Sequence, residues 1–263
     1  MEGTHLRLVG TNVPRCFVES DKGASLARRA IAEFLGTALL MLAVVGSTLH
    51  ESSSALSSGM AVSASLIGLI LAFGTVSGGH FNPTITIMQW SQGIRGTDCT
   101  VWYVIAQVGG ALTGAILTDL IFEIPIDWPR FDAPTLPYLA SEAVASFALM
   151  TIVFCCTRSA SKLIGPFAVG LWLLAAIVST PTGSIANPAV AIALLASPAE
   201  QSVFAVITFV VVQLAAGRLA IQAVSFIYPD EGARQCRCMQ APRIVGLILR
   251  NHPTPIALTN AGV

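Results

Sequence analysis

Charge is what this sequence has least of. Only 11% of its 263 residues are Asp, Glu, Lys or Arg, where a soluble domain carries about 25%. That scarcity argues against an ordinary cytosolic enzyme. Fourteen basic and fourteen acidic residues cancel, so no charge excess marks nucleic acid as a partner. A glycan acceptor is missing too, because Asn82-Pro83-Thr84 is disqualified by its proline. Nothing reads as a cleavable leader: the first thirty residues are polar and basic, with Arg7, Arg15, Lys22, Arg28 and Arg29, and the first apolar run is too long for a leader's core. An intramembrane enzyme would need a nucleophile–base set or a His-Glu-x-x-His metal site, and neither pattern is present. No cofactor or metal is expected.

What is present is apolar: 54% of residues are hydrophobic and the mean hydropathy is +0.74. The long runs lie at about 30–49, 60–77, 101–122, 138–157, 164–180 and 202–227, each near the ~20 residues needed to cross a bilayer. Two short apolar pieces, 84–90 and 189–196, cannot cross. The expectation is an integral membrane protein in the lipid bilayer. A cytoplasmic N-terminal tail (1–29) precedes a six-span domain (30–227), and a cytoplasmic C-terminal tail (228–263) follows it.

Basic residues favour the cytoplasmic side of a membrane protein. With both termini inside, twelve basic residues fall in cytoplasmic segments, including Arg95, Arg158, Lys162, Arg234, Arg237, Arg243 and Arg250; only Arg130 falls outside. Arg218 can snorkel from the last run to the inner interface. On this topology Cys16, Cys99, Cys155, Cys156, Cys236 and Cys238 all lie on the reducing side, so disulfides are not expected. Cys236-x-Cys238 alone is too little for a metal site. Trp102 and Tyr103 read as interfacial anchors, and Gly36, Gly109, Gly110, Gly114 and Gly217 as close helix contacts.

The chain repeats itself. Ala32-Glu33-Phe34 echoes Ser141-Glu142-Ala143, Asn82-Pro83-Thr84 echoes Asn187-Pro188-Ala189, and Gln107-Val108-Gly109 echoes Gln213-Leu214-Ala215, at offsets of 109, 105 and 106. Repeat one is about 30–122 and repeat two about 138–227. Three spans per half force the halves into opposite orientations, the inverted-repeat plan of transport proteins. Each short piece opens with Asn-Pro, an N-cap residue followed by the residue best suited to a first helical turn. Two half-helices entering from opposite sides would bring their N-termini together near the midplane, each carrying about half a positive charge. Such a centre accepts a neutral hydrogen-bonding solute and repels cations. Glu33 and Glu142 lie in spans, where a carboxylate is functional by default, either bonding structure or relaying protons. His80 reads as a loop-fixing group or a protonation-dependent gate.

Gly78-Gly79-His80-Phe81-Asn82-Pro83-Thr84 and Gly183-Ser184-Ile185-Ala186-Asn187-Pro188-Ala189 resemble the two signature loops of the aquaporin and glycerol-facilitator family, the major intrinsic proteins. Ala32–Thr37 (AEFLGT) and the AQVGGALTGA stretch match as well, so the resemblance runs from about Ala30 to Ser225. It implies an all-α, aquaporin-like bundle of six transmembrane helices plus two re-entrant half-helices, assembled as a homotetramer with one passive pore per protomer. It also implies that Glu33 and Glu142 bond the backbone of the re-entrant loops. Asn82, Pro83, Thr84, Asn187, Pro188 and Ala189 form the pore centre on this reading.

Two departures stand out. Thr84 replaces the usual alanine, a mild change. Val190 stands where the family continues with arginine, a member of the outer constriction. Carrying that constriction over by position gives Val62, Ala175 (or Ile177), Ser184 and Val190, a ring without arginine, histidine or aromatic residue. Some bacterial members linked to metalloid export resemble this Asn-Pro-Ala-Val pattern. The expected function is a passive channel for water, glycerol-like polyols or uncharged metalloid acids such as arsenite, in a bacterial inner membrane. A secondary active transporter of a small solute is the alternative.

Overall fold

The computed structural model describes residues 16–125, 131–159, 161–196 and 202–228. Contacts divide the chain into two units, 1–228 and 229–263. The second unit, with Cys236, Cys238 and the four C-terminal arginines, lies outside the described residues, as do Arg7, Arg15 and Arg130.

The described residues form eight helices and no strand: α1 (Leu26–Gly46), α2 (Ala55–Ser77), α3 (Pro83–Ser91), α4 (Thr97–Ile121), α5 (Leu136–Cys156), α6 (Ile164–Ser179), α7 (Pro188–Ala193) and α8 (Val203–Ile227). Five are long and apolar enough to cross a membrane; α6, at 16 residues, is shorter. At 1.5 Å per residue it reaches only about 24 Å. Four helices, α1, α2, α4 and α5, start earlier than hydropathy indicates. Ser25 caps α1 through the Arg28 amide. Ser54 and Ser57 form a reciprocal capping box that begins α2, so serines that read as loop are helix-starting residues.

The packing has the symmetry of the sequence repeat. Helix α1 lies mainly on α4, and α5 on α8; α2 and α6 join the halves. Both half-helices pack against α4 and α8, one helix from each repeat. Close approach is possible because the contact positions are small. A Cβ on Gly110 would sit 2.2 Å from the Phe34 carbonyl oxygen, and one on Gly114 2.2 Å from that of Ala38. Backbone cannot move aside there, so no larger residue fits. Gly36 instead makes room for the Phe81 ring, so its neighbour is a loop side chain rather than a helix.

The bundle is apolar outside and partly polar within. Ile31, Leu35, Leu39 and Leu42 form an exposed stripe along α1, while Glu33, Thr37, Gln107, Glu142 and Gln213 are buried. That inversion suits a chain whose solvent is lipid, provided every buried polar group finds a partner. Tyr103 departs from its expected role. Trp102 is 54% exposed, but Tyr103 is fully buried and donates its hydroxyl to the Ser77 carbonyl at 2.8 Å. Neighbouring residues on a helix face different ways, and Tyr103 faces inward with Gln107.

Candidate functional site

The first re-entrant loop begins where α2 ends at Gly78, whose φ of 95° lets the chain turn back sharply, and the second follows α6. Residues Phe81 and Ala186, each just before an asparagine, take φ of 48° and 42°. A non-glycine residue pays of order 1 kcal/mol for that conformation. Buried carboxylates hold both in place. Glu33 accepts from the Ser77 hydroxyl (2.6 Å), the His80 amide (3.0 Å), the Phe81 amide (2.7 Å) and the Gln107 side-chain amide (2.7 Å). Glu142 accepts from the Ile185 amide (3.1 Å), the Ala186 amide (2.8 Å) and the Gln213 side-chain amide (2.8 Å). All seven partners are donors, which suits an acceptor-only group.

With the loops fixed, the asparagines meet. Asn82 Nδ2 donates to the Ala186 carbonyl and Asn187 Nδ2 to the Phe81 carbonyl, both at 2.8 Å. Each Oδ1 caps its own half-helix, accepting from Thr84 N at 2.9 Å and Ala189 N at 3.0 Å. Pro83 and Pro188 occupy the first turns, where a missing N–H removes no bond. A side-chain amide has two N–H donors, so one remains on each asparagine for a solute.

Both asparagines line a cavity of about 580 Å³ inside the bundle. One end is hydroxyl-rich, with Ser47, Thr48, Ser53, Ser54, Ser58, Thr180 and Thr182; the other ends on Phe17, Ile70 and His80. Among the lining residues His80 is the one ionisable side chain. Its Nε2 lies 3.0 Å from the Phe17 carbonyl and its Nδ1 2.9 Å from Thr86 Oγ1. A carbonyl can only accept, so the network assigns the proton to Nε2 and makes Thr86 the donor to Nδ1.

Val62, Ser184 and Val190 all line the cavity. Ala175 does not: it is exposed on α6, and Ile177 lines the cavity in its place. The stripe Val169, Leu173, Ile177 runs at four-residue spacing, which puts position 175 on another face. Ser184 Oγ is buried without a protein partner, leaving it free for a passing molecule. Pro83, Thr84, Pro188 and Ala189 are buried but do not line the cavity. Thr84 points its methyl toward Gly217 of α8, so threonine in place of alanine alters helix packing rather than the lumen.

Sequence reasoning missed a cluster at the Phe17 end. Arg95, read as a loop charge, is 7% exposed. It pairs with Glu19 at 2.8 Å and lies 4.4 Å from the Tyr103 ring centroid. Glu19 also pairs with Arg29 at 2.7 Å. Nothing in the spacing of these residues signals the cluster, since Glu19 and Arg95 are far apart in the chain.

The model describing the MIP family, major intrinsic proteins, matches residues 20–183. The chain is a major intrinsic protein. That match ends just before Asn187, so the second half-helix stands on geometry. This major intrinsic protein is 38% identical over 177 residues to aquaglyceroporin AqpS of Rhizobium meliloti (strain 1021), covering 64% of this chain and 75% of that one. It is 30% identical over 192 residues to aquaporin Z of Photorhabdus laumondii subsp. laumondii, covering 62% and 81%. The X-ray structure of the aquaglyceroporin from Plasmodium falciparum shares its fold, with a TM-score of 0.64 at 19% identity, covering 78% of this chain and 98% of that chain.

Proposed function

We propose that this major intrinsic protein is a passive channel for small uncharged solutes: water together with glycerol-like polyols or metalloid acids such as arsenite. The carrying observation is the reciprocal asparagine pair inside a lumen where, among the described residues, no carboxylate, lysine or arginine lines the wall. Two amide donors can replace part of a neutral solute's hydration. Nothing there replaces the hydration of a cation, and two half-helix N-termini oppose it. An ion-coupled transporter would need charged groups along the path, and none lines the cavity among the described residues.

The outer constriction is assigned to Val62, Ile177, Ser184 and Val190, three apolar side chains and one hydroxyl. Such a ring suits a solute with a carbon or metalloid face and a hydroxyl face. The names aquaglyceroporin and aquaporin borne by the relatives agree with that range. Basic-residue placement supports cytoplasmic termini, and the bacterial relatives support a bacterial inner membrane. The exposed apolar stripes leave surface for lipid and for three further copies in a homotetramer, and the 30–227 span with its two repeats is the channel domain.

Val190→Arg tests the constriction. A guanidinium adds fixed donors and a positive charge in a narrow site. In reconstituted vesicles it should depress glycerol and arsenite flux more than water flux, with the melting temperature in detergent checking the fold. An unchanged solute-to-water ratio would remove Val190 from the constriction.

A further inference from the structure

The residues leading into α1 do not leave the bundle. Phe17 is 3% exposed, takes a φ of 58° and lines the cavity at its His80 end. Its ring lies beside Gly165, where an added Cβ would come within 2.8 Å of it. Its carbonyl accepts from His80 Nε2 at 3.0 Å and Gln89 Nε2 at 2.7 Å.

The flanking residues are tied to both repeats. On the first-repeat side, Ser20 N and Asp21 N both donate to the Thr75 carbonyl at 3.0 Å, and Glu19 pairs with Arg95. On the second-repeat side, Cys16 Sγ donates to the Ser161 carbonyl at 3.1 Å and Lys162 Nζ to Ser20 Oγ at 2.7 Å. The segment is therefore a strap across the cavity end, with Phe17 among the residues that line it there. A segment serving only to lead into α1 would have no reason to place a strained, non-glycine residue there.

We infer that Cys16–Asp21 is a gate, that Phe17 is its stopper, and that the structure shows the closed form. The inference rests on the channel reading. The tethers fit a movable element. The Lys162–Ser20 hydrogen bond is solvent-exposed and holds weakly, whereas the Glu19–Arg95 pair, whose guanidinium is buried, is the firmer tether. The hold of the Phe17 carbonyl on His80 and Gln89 is a pair of ordinary hydrogen bonds that water can replace once the ring withdraws. The gate would act on every permeant alike, since a phenyl ring at the lumen's end discriminates by blocking.

The test uses the full chain in vesicles, with stopped-flow glycerol and water flux for the parent, Phe17→Ala, Glu19→Gln and Lys162→Ala. Phe17→Ala should raise both fluxes several-fold with their ratio unchanged, and the two tether variants should raise them by less. Site-resolved alkylation supplies a second readout that needs no Phe17 substitution. Burial pushes the Cys16 thiol above its ordinary pKa and hides it, so release of the strap by Glu19→Gln or Lys162→Ala should speed Cys16 labelling. Clear parent flux that none of the variants changes, with Cys16 labelling also unchanged, would overturn the gate and leave the channel standing. No flux above protein-free vesicles from parent or variants would overturn both.

Discussion

Glu33→Ala is expected to leave the protein unable to hold its first re-entrant loop. Four donors converge on that carboxylate: the Ser77 hydroxyl, the His80 and Phe81 amides and the Gln107 side chain. The site is fully buried, so no bulk water replaces the lost acceptor. Each stranded donor costs about 1–3 kcal/mol. Together they approach the whole margin of a typical fold, about 5–15 kcal/mol. The loss also frees Phe81 from its left-handed conformation, and the Phe81 carbonyl is the partner of Asn187. A large fall in detergent melting temperature and loss of flux should follow. Glu142→Ala strands three donors rather than four and should be the milder of the two. Wild-type stability in Glu33→Ala would show that the loop is held by something else.

Asn187→Asp should destroy selectivity while leaving the fold. The new carboxylate keeps the Oδ1 that accepts from Ala189 N, so the half-helix remains capped. The other oxygen, replacing Nδ2, faces the Phe81 carbonyl across a contact of 2.8 Å, where two acceptors repel. No lysine or arginine lines the cavity among the described residues to offset the charge. One lost donor to the solute is worth about 1.4 kcal/mol or more, which lowers neutral-solute flux about tenfold. A negative charge in the lumen also attracts cations. Asn82→Asp should behave alike by symmetry. Stopped-flow glycerol flux and dye-reported sodium or potassium entry measure the two effects. If both variants pass neutral solute at the parent rate and exclude cations, the asparagines do not form the pore centre.

How far the sequence reaches is clearest at individual residues. Asn-Pro marked both half-helices, because that pair satisfies cap and first turn together. The repeated Glu and Gln positions were visible as echoes, and the structure joins them as Glu33–Gln107 and Glu142–Gln213. Ala175 was misplaced because a two-residue ambiguity in alignment is a different helix face, and the Val169–Leu173–Ile177 stripe resolves it. Tyr103 carried the same signal, standing four residues before Gln107. Phe17, Glu19 and Arg95 carried none. Hydropathy reports how a residue partitions, not which distant residue it meets, so a polar lead-in and a loop arginine look alike whether exposed or buried.

The central claim is passive conduction of uncharged solute, and one measurement meets it directly. Purified protein in vesicles free of sodium, proton gradient and ATP is challenged with inward-directed gradients of glycerol and of arsenite. The account predicts solute entry faster than in protein-free vesicles, running down its own gradient to equilibrium and unaffected by imposing a sodium or proton gradient. Entry that appears only when an ion gradient is imposed would contradict it and make the chain a coupled transporter.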